Sequence, residues 1–135
     1  EEVLQWMNPG SHGSTFGGNP LGSAIAKRSL ELLEEEGLIE NSRVMGDYFK
    51  QSLLELNSPI IKEIRGKGLW LGVEIDQSYI TGKDLSKLLL KKGILCKETR
   101  DTTIRFAPPL IINKDEIDWG VEIIGSAFKA IEEKA

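Results

Sequence analysis

Leu69-Trp70-Leu71-Gly72-Val73-Glu74-Ile75 is the stretch that decides the fold class of this chain. Apolar residues stand at every second position, which is typical of a strand with one buried face. Residues 60–65 before it are strand-like, and the glycines of residues 65–68 indicate a turn between the two segments. Because strands joined by a tight turn pair antiparallel, the sequence predicts a hairpin at the centre of the chain.

The segment after the hairpin predicts a short helix and two more strands. Thr81 and Asp84 resemble a capping box, with Asp in place of the usual Glu or Gln, and Gly93 suits the C-terminal cap of the helix. Strands are predicted at residues 94–98 and 103–107, with a polar turn between them.

A final amphipathic helix is predicted after these strands. Asn113 followed by Glu116 is typical of a helix N-terminus. Apolar residues then recur at spacings of four and three, which places them on one helical face. They are Ile117, Val121, Ile124, Phe128 and Ile131.

Two helices are predicted before the hairpin, at residues 21–36 and 38–56, with Asn19-Pro20 as a suitable start. The whole order predicts an α+β fold, in which an N-terminal helical segment precedes an antiparallel sheet with helices on one face (β-β-α-β-β-α). We expect residues 1–57 to be a helical segment that belongs structurally to a large domain, and residues 58–135 to form a small domain.

Composition narrows the classes of function. The 135 residues carry 17 Lys and Arg against 21 Asp and Glu, a net charge of -4, and the cations are scattered. Nucleic acid, which attracts clustered cations, is therefore not an expected partner. No apolar run reaches the length of a membrane span, so no membrane partner is expected. The single cysteine, Cys96, fits a cytoplasmic compartment, or the mitochondrial matrix in a eukaryote.

A glycine-rich segment near the N-terminus, GSTFGGNP at residues 13–20, is the first candidate site. Ser14 and Thr15 offer hydroxyl donors, and the glycines before a helix start let a ligand reach the main chain, as in phosphate sites. The same residues are equally typical of a turn whose hydroxyls are bonded locally. No Walker-type lysine follows, so residue types alone leave both interpretations open.

Arg105 is the second candidate. Ile104 and Phe106 on the same predicted strand point to one face, so Arg105 points to the other, just before two prolines. A guanidinium fixed on a strand can bind a carboxylate through two hydrogen bonds. A surface arginine paired with a nearby acid is the alternative.

Three ordered segments resemble the class III, fold-type I, pyridoxal-phosphate aminotransferases: GSHGSTFGGNPLG at residues 10–22, RGKGL at residues 65–69 and IRFAPPL at residues 104–110. Residues 93–99 are most similar to ornithine aminotransferases. The resemblance implies transfer of the δ-amino group of ornithine to 2-oxoglutarate, giving glutamate semialdehyde and glutamate. Acetylornithine or another ω-amine as the substrate stays open.

The resemblance also implies the roles of the candidate residues. It implies a homodimer with active sites at the subunit interface, in which Ser14 and Thr15 contact the phosphate of pyridoxal phosphate in the neighbouring subunit. Arg105 would bind the α-carboxylate of the amino-acid or oxo-acid substrate. No metal is implied.

The family's cofactor-binding lysine lies before the Gly-Ser-Thr segment, and no lysine of this sequence matches that position. We therefore expect the chain to be the C-terminal portion of the enzyme, with no catalytic residue or covalently bound cofactor of its own, and inactive alone. A free-standing, non-catalytic α+β module for binding or oligomerisation is the alternative from a different class.

Overall fold

The central hairpin forms where the alternating pattern predicts it. The computed structural model describes residues 4–134. A 3-10 turn at Leu4–Trp6 precedes the helices and strands, which are α1 (Pro20–Glu35), α2 (Leu38–Glu55), β1 (Ile61–Lys67), β2 (Trp70–Ile75), α3 (Gly82–Lys91), β3 (Lys97–Thr99), β4 (Thr103–Phe106) and α4 (Lys114–Glu132).

The four strands form one sheet in the order β1-β2-β4-β3, with every neighbouring pair antiparallel. Strand β4 therefore inserts between β2 and β3, so that Leu71 pairs with Phe106 and Gly72 with Arg105. The predicted α+β fold and the order β-β-α-β-β-α are confirmed.

One face of the sheet carries the hydrophobic core. Helix α2 contacts β1 and β2, α3 contacts β3 and β4, and α4 packs against α2 and α3. Each large apolar side chain buried there contributes about 1.5–3 kcal/mol. The predicted stripe of α4 is confirmed, with Val121 partly buried and its other four members buried. The buried core residues of the sheet are Ile64, Leu71, Val73, Ile75, Ile104 and Phe106.

Helix α2 packs closely on the turn between β1 and β2. A Cβ added at Gly46 would lie 2.1 Å from the carbonyl carbon of Gly68, so only glycine allows this approach. Ser42 Oγ accepts a hydrogen bond from the Leu69 amide at 3.2 Å. By its contacts the chain divides between Gly37 and Leu38, which groups α2 with the sheet. Assignment of residues 1–57 to a large domain stays a prediction.

Strand β3 starts at Lys97, three residues later than predicted, so the predicted start at residue 94 is wrong. The cause is the end of α3. Gly93, with a φ of 93°, donates to the carbonyl of Leu90 at 3.1 Å, and Ile94 donates to the carbonyl of Leu89 at 2.9 Å. These two bonds form a Schellman motif, which commits the Ile94 amide to the helix end rather than to the sheet.

The N-terminal unit contains α1. Asn19 caps the helix by accepting from the Gly22 amide at 2.7 Å, and Pro20 is the first helical residue, as predicted. No residue of α1 is buried, and Leu21 and Ile25 of its predicted apolar face are exposed. Among residues 4–134, no helix combines the length and the apolar character that a membrane span needs.

Candidate functional site

The face of the sheet opposite the core is polar and uncovered by the described helices of its own unit. Alternation along the strands brings its side chains together, because residues two apart on one strand share a face. They include Glu63, Arg65 and Lys67 of β1, Trp70, Gly72 and Glu74 of β2, and Thr103 and Arg105 of β4. We call this surface the open face.

A cavity of about 480 Å³ lies on the open face and contains the predicted site residue Arg105. Gly72 stands directly opposite Arg105 in the register of β2 and β4, and it also lines the cavity. The cavity is cationic and has one aromatic wall. Its lining residues include Arg65, Lys67, Trp70, Arg100, Thr103 and Arg105.

Arg105 is exposed and forms no salt bridge with any of the residues that the structure describes. The alternative from the sequence, a surface arginine paired with a nearby acid, agrees with the exposure of Arg105, but residues 4–134 provide no such pair. Its guanidinium retains its donors for a ligand. A carboxylate suits them because both groups are planar and can form two parallel hydrogen bonds.

Arg65, by contrast, forms hydrogen bonds with three neighbouring side chains. It donates to Glu63 and to Glu74, each at 3.2 Å, and to Thr103 Oγ1 at 3.1 Å. Thr103 in turn donates to Glu74 at 2.6 Å. The pKa of Glu74 is held below its usual value by the hydrogen bond from Thr103 first, and also by Thr102 and Arg65.

Sequence reasoning missed this polar network. It treated residues 65–68 as a turn and RGKGL as one of three segments that resemble the family, and it assigned no binding role to Arg65 or Trp70. The strand alternation does place Arg65 and Trp70 on the polar face of the hairpin. The pairing of β2 with β4, which brings these residues beside Arg105, depends on contacts distant in sequence.

Ser14 and Thr15 lie in an exposed turn before α1. Ser14 Oγ accepts from the Gly17 amide at 2.9 Å, which is the local bonding that the turn interpretation predicts. An accepted bond leaves the hydroxyl proton available, so Ser14 can still donate outward. These residues and Arg105 belong to separate units, each of which is described by itself.

A larger cavity, about 760 Å³, is mostly apolar and lies between the end of β4 and α4. Its polar side chains Asn113 and Glu116 bond each other's backbone amides in a capping box, at 3.0 Å each. Glu116, the one charged side chain that residues 4–134 place in its lining, therefore serves as part of the helix cap, and no cation of these residues lines the cavity. The smaller cationic cavity is the better candidate site.

No metal-binding group of His, Cys, Asp and Glu side chains occurs within residues 4–134. Cys96 is partly buried against the core and lies just before β3. Burial raises the pKa of its thiol, which opposes a role as a nucleophile.

The family model for aminotransferase class III matches residues 1–128. The chain belongs to the class III aminotransferase family. Ornithine aminotransferases from Bacillus subtilis and Brevibacillus brevis are 53% and 48% identical over 91% and 98% of this chain. The chain spans only 30% and 32% of the lengths of these two relatives.

Solved structures of class III aminotransferases share the fold. An ornithine aminotransferase from Toxoplasma gondii, described as having partial occupancy of pyridoxal phosphate at its active site, has a TM-score of 0.86 and 40% identity. The match covers 99% of this chain and 32% of that one. An acetylornithine aminotransferase from Elizabethkingia anophelis has a TM-score of 0.81 and 33% identity, covering 95% and 34%.

Proposed function

We propose that this chain supplies the substrate-carboxylate anchor of a pyridoxal-phosphate-dependent ornithine aminotransferase. The observation that carries the proposal is Arg105, whose exposed guanidinium lines a cationic cavity and has no salt bridge within residues 4–134. Likeness to several ornithine aminotransferases supports the substrate class. The reaction moves the δ-amino group of ornithine to 2-oxoglutarate and yields glutamate semialdehyde and glutamate.

In this proposal, Arg105 binds the α-carboxylate of the amino-acid or oxo-acid substrate by two charge-assisted hydrogen bonds. Strand β4 limits the movement of the arginine backbone, and Trp70 and Gly72 shape the cavity beside the guanidinium. Holding one end of the substrate sets which part of its chain reaches the reacting centre. Orientation of the substrate is thus the contribution of this unit.

The donor set near the N-terminus fits a phosphate. Ser14 and Thr15 are exposed hydroxyl residues, so they offer hydroxyl donors, whereas the nearby amides of Gly17 and Gly22 donate to the side chains of Ser14 and Asn19. When bound, pyridoxal phosphate supplies an electron sink for amino-group transfer. Ser14 and Thr15 would hold its phosphate group in the neighbouring subunit of a homodimer. The proposed compartment is the cytoplasm.

The test is an assay of the full-length gene product that carries this chain. With 2-oxoglutarate as acceptor, we expect ornithine to be a better donor than N-acetylornithine. N-acetylornithine is the second candidate substrate, because a solved acetylornithine aminotransferase shares this fold. A higher kcat/KM for N-acetylornithine would reassign the substrate and leave the enzyme class in place.

The role of Arg105 is tested in the same protein by Arg105→Ala and Arg105→Lys. Loss of a charge-assisted contact that is buried in the complex typically costs about 2–5 kcal/mol, so kcat/KM for 2-oxoglutarate should fall by at least about thirtyfold. Arg105→Lys should retain only part of kcat/KM, because an ammonium cannot donate two parallel hydrogen bonds to a carboxylate as a planar guanidinium does. Arg43→Ala, at an exposed position of α2, is the matched control. Unchanged kinetics in both Arg105 variants would remove the anchor role.

A further inference from the structure

The acidic side chains of the open face are all close to Arg65. Glu63 and Glu74 are the carboxylates on this face of β1 and β2, and each accepts from the Arg65 guanidinium at 3.2 Å. Thr103, which is buried, links the same groups by accepting from Arg65 and donating to Glu74. One arginine therefore satisfies both carboxylates.

Glu74 is also the carboxylate best placed to pair with Arg105. It stands opposite Thr103 in the pairing of β2 with β4, and Arg105 is the next residue along β4 on the same face. Such diagonal neighbours are roughly 7–8 Å apart at the backbone, within reach of long side chains. Gly72, opposite Arg105 on β2, adds no side chain there, and a Cβ at this position would lie 3.3 Å from Thr103 Cγ2 and 3.9 Å from Arg65 Cγ.

We propose that Arg65 is a positioning residue that holds Glu74 away from Arg105 and thereby keeps Arg105 available to a carboxylate ligand. The identity of the ligand rests on the proposed function, whereas the competition for Glu74 rests on the described contacts alone. Glu74 is ionised at neutral pH because the ordinary pKa of a glutamate carboxyl lies far below 7, and the contacts with Thr103 and Arg65 lower that pKa further. Glu74 released from Arg65 would therefore be a full negative charge beside Arg105.

A positioning role of Arg65 and a merely structural role have different consequences at Arg105. The Arg65 side chain is 50% exposed, and such pairs contribute little to stability. A structural role predicts a small loss of stability on removing Arg65 and no change at Arg105. A positioning role predicts a new Arg105–Glu74 pair, which a second substitution at Glu74 abolishes.

The experiment follows the Arg105 side-chain Nε–Hε resonance by NMR in the 135-residue chain, first without ligand and then with added glutarate as a dicarboxylate probe. The variants are Arg65→Gln, Glu74→Gln and the double variant. Arg65→Lys retains a cation and should behave like the unsubstituted chain. Arg43→Gln, which removes an exposed arginine paired with Glu40 on α2, is the matched control.

Without ligand, Arg65→Gln should shift the Arg105 resonance, and the double variant should return it. With glutarate, Arg65→Gln should bind about two- to fivefold more weakly, the range set by an exposed ion pair competing for one guanidinium. The double variant should restore the affinity. The proposal is overturned if Arg65→Gln leaves the Arg105 resonance where it is in the unsubstituted chain. It is also overturned if the resonance shifts in Arg65→Gln and adding Glu74→Gln does not bring it back.

Failure of the proposed function gives a different result. If glutarate leaves the Arg105 resonance of the unsubstituted chain unmoved, Arg105 is not a carboxylate anchor in this unit. The ligand-free comparison of Arg65→Gln with the double variant still decides whether Arg65 controls the pairing of Glu74.

Discussion

Three side chains join α2 to α4 through one carboxylate. Tyr48 of α2 donates a short hydrogen bond to Asp118 of α4, and Lys114 donates to the other oxygen of Asp118 at 2.7 Å. The Lys114 ammonium also lies 4.7 Å from the centre of the Tyr48 ring. These contacts hold the pKa of Asp118 below its usual value, and the hydrogen bond from Lys114 has a larger effect than the one from Tyr48.

Because the pKa of Asp118 is lowered in the folded state, the free energy of unfolding depends on pH in the acidic range. A carboxyl with a lower pKa in the folded state contributes stability above its unfolded pKa, about 3.9, and that contribution is lost as the pH falls through the folded value. Asp118→Asn should therefore lower the urea midpoint at neutral pH, with a difference from the unsubstituted chain that shrinks below about pH 4. Glu122→Gln, one turn later on α4, is the control. A difference that stays constant with pH would show that Asp118 acts through packing.

At the scale of single elements, two helical glycines have opposite surroundings. A Cβ at Gly46 in α2 would lie 2.1 Å from the Gly68 carbonyl carbon, which is backbone and cannot move aside cheaply. A Cβ at Gly120 in α4 would have no neighbour within 4 Å. Replacing each glycine with alanine therefore separates the effect of helix propensity, which both positions share, from the effect of packing, which only Gly46 has.

Gly120→Ala should stabilise the chain by about 0.5–1 kcal/mol, since alanine favours helix over glycine. Gly46→Ala gains the same propensity but forces α2 away from the hairpin turn, so we expect a net loss of about 1–3 kcal/mol. Urea denaturation of both variants measures the two free energies of unfolding. Equal effects of the two substitutions would mean that α2 does not need its close approach to Gly68.

Local signals in the sequence predicted most of the elements because they act over a few residues. The cap at Asn113, the stripe of α4 and the alternation of β2 each specify their own element. The start of β3 was predicted wrongly because the Schellman motif uses the Ile94 amide, which strand propensity does not reveal. Arg105 could be placed on the polar face, but its neighbours could not, because the sheet order depends on long-range packing.

At the scale of the whole molecule, the proposed cofactor role of Ser14 and Thr15 can be tested in the full-length gene product. Thr15→Ala removes one hydroxyl donor, so the affinity for pyridoxal phosphate should fall by about tenfold or more, as for one lost hydrogen bond to a charged group. Ser11→Ala, in the same exposed segment, is the control. Cofactor retained during dialysis is measured by absorbance. If monomeric and dimeric forms lose cofactor equally, the contact across subunits is wrong.

The distribution of buried residues predicts where an independently folding unit begins. Every buried apolar side chain of the described residues lies from Phe49 onward, and none lies in α1. Residues 38–135 should therefore unfold cooperatively with nearly the same urea midpoint as the whole chain. Residues 58–135 lack α2, including the buried Phe49 and Leu53.

Removing even one such core side chain costs about 2–5 kcal/mol, and a domain's whole stability is about 5–15 kcal/mol. Helix α2 also contacts β1 and β2, so its loss uncovers part of the sheet, and residues 58–135 should be largely unfolded. Far-UV circular dichroism during urea denaturation compares the two truncated chains. Cooperative unfolding of residues 58–135 at an unchanged midpoint would place the boundary at residue 57, and would mean that α2 belongs with the N-terminal segment despite its contacts with the sheet.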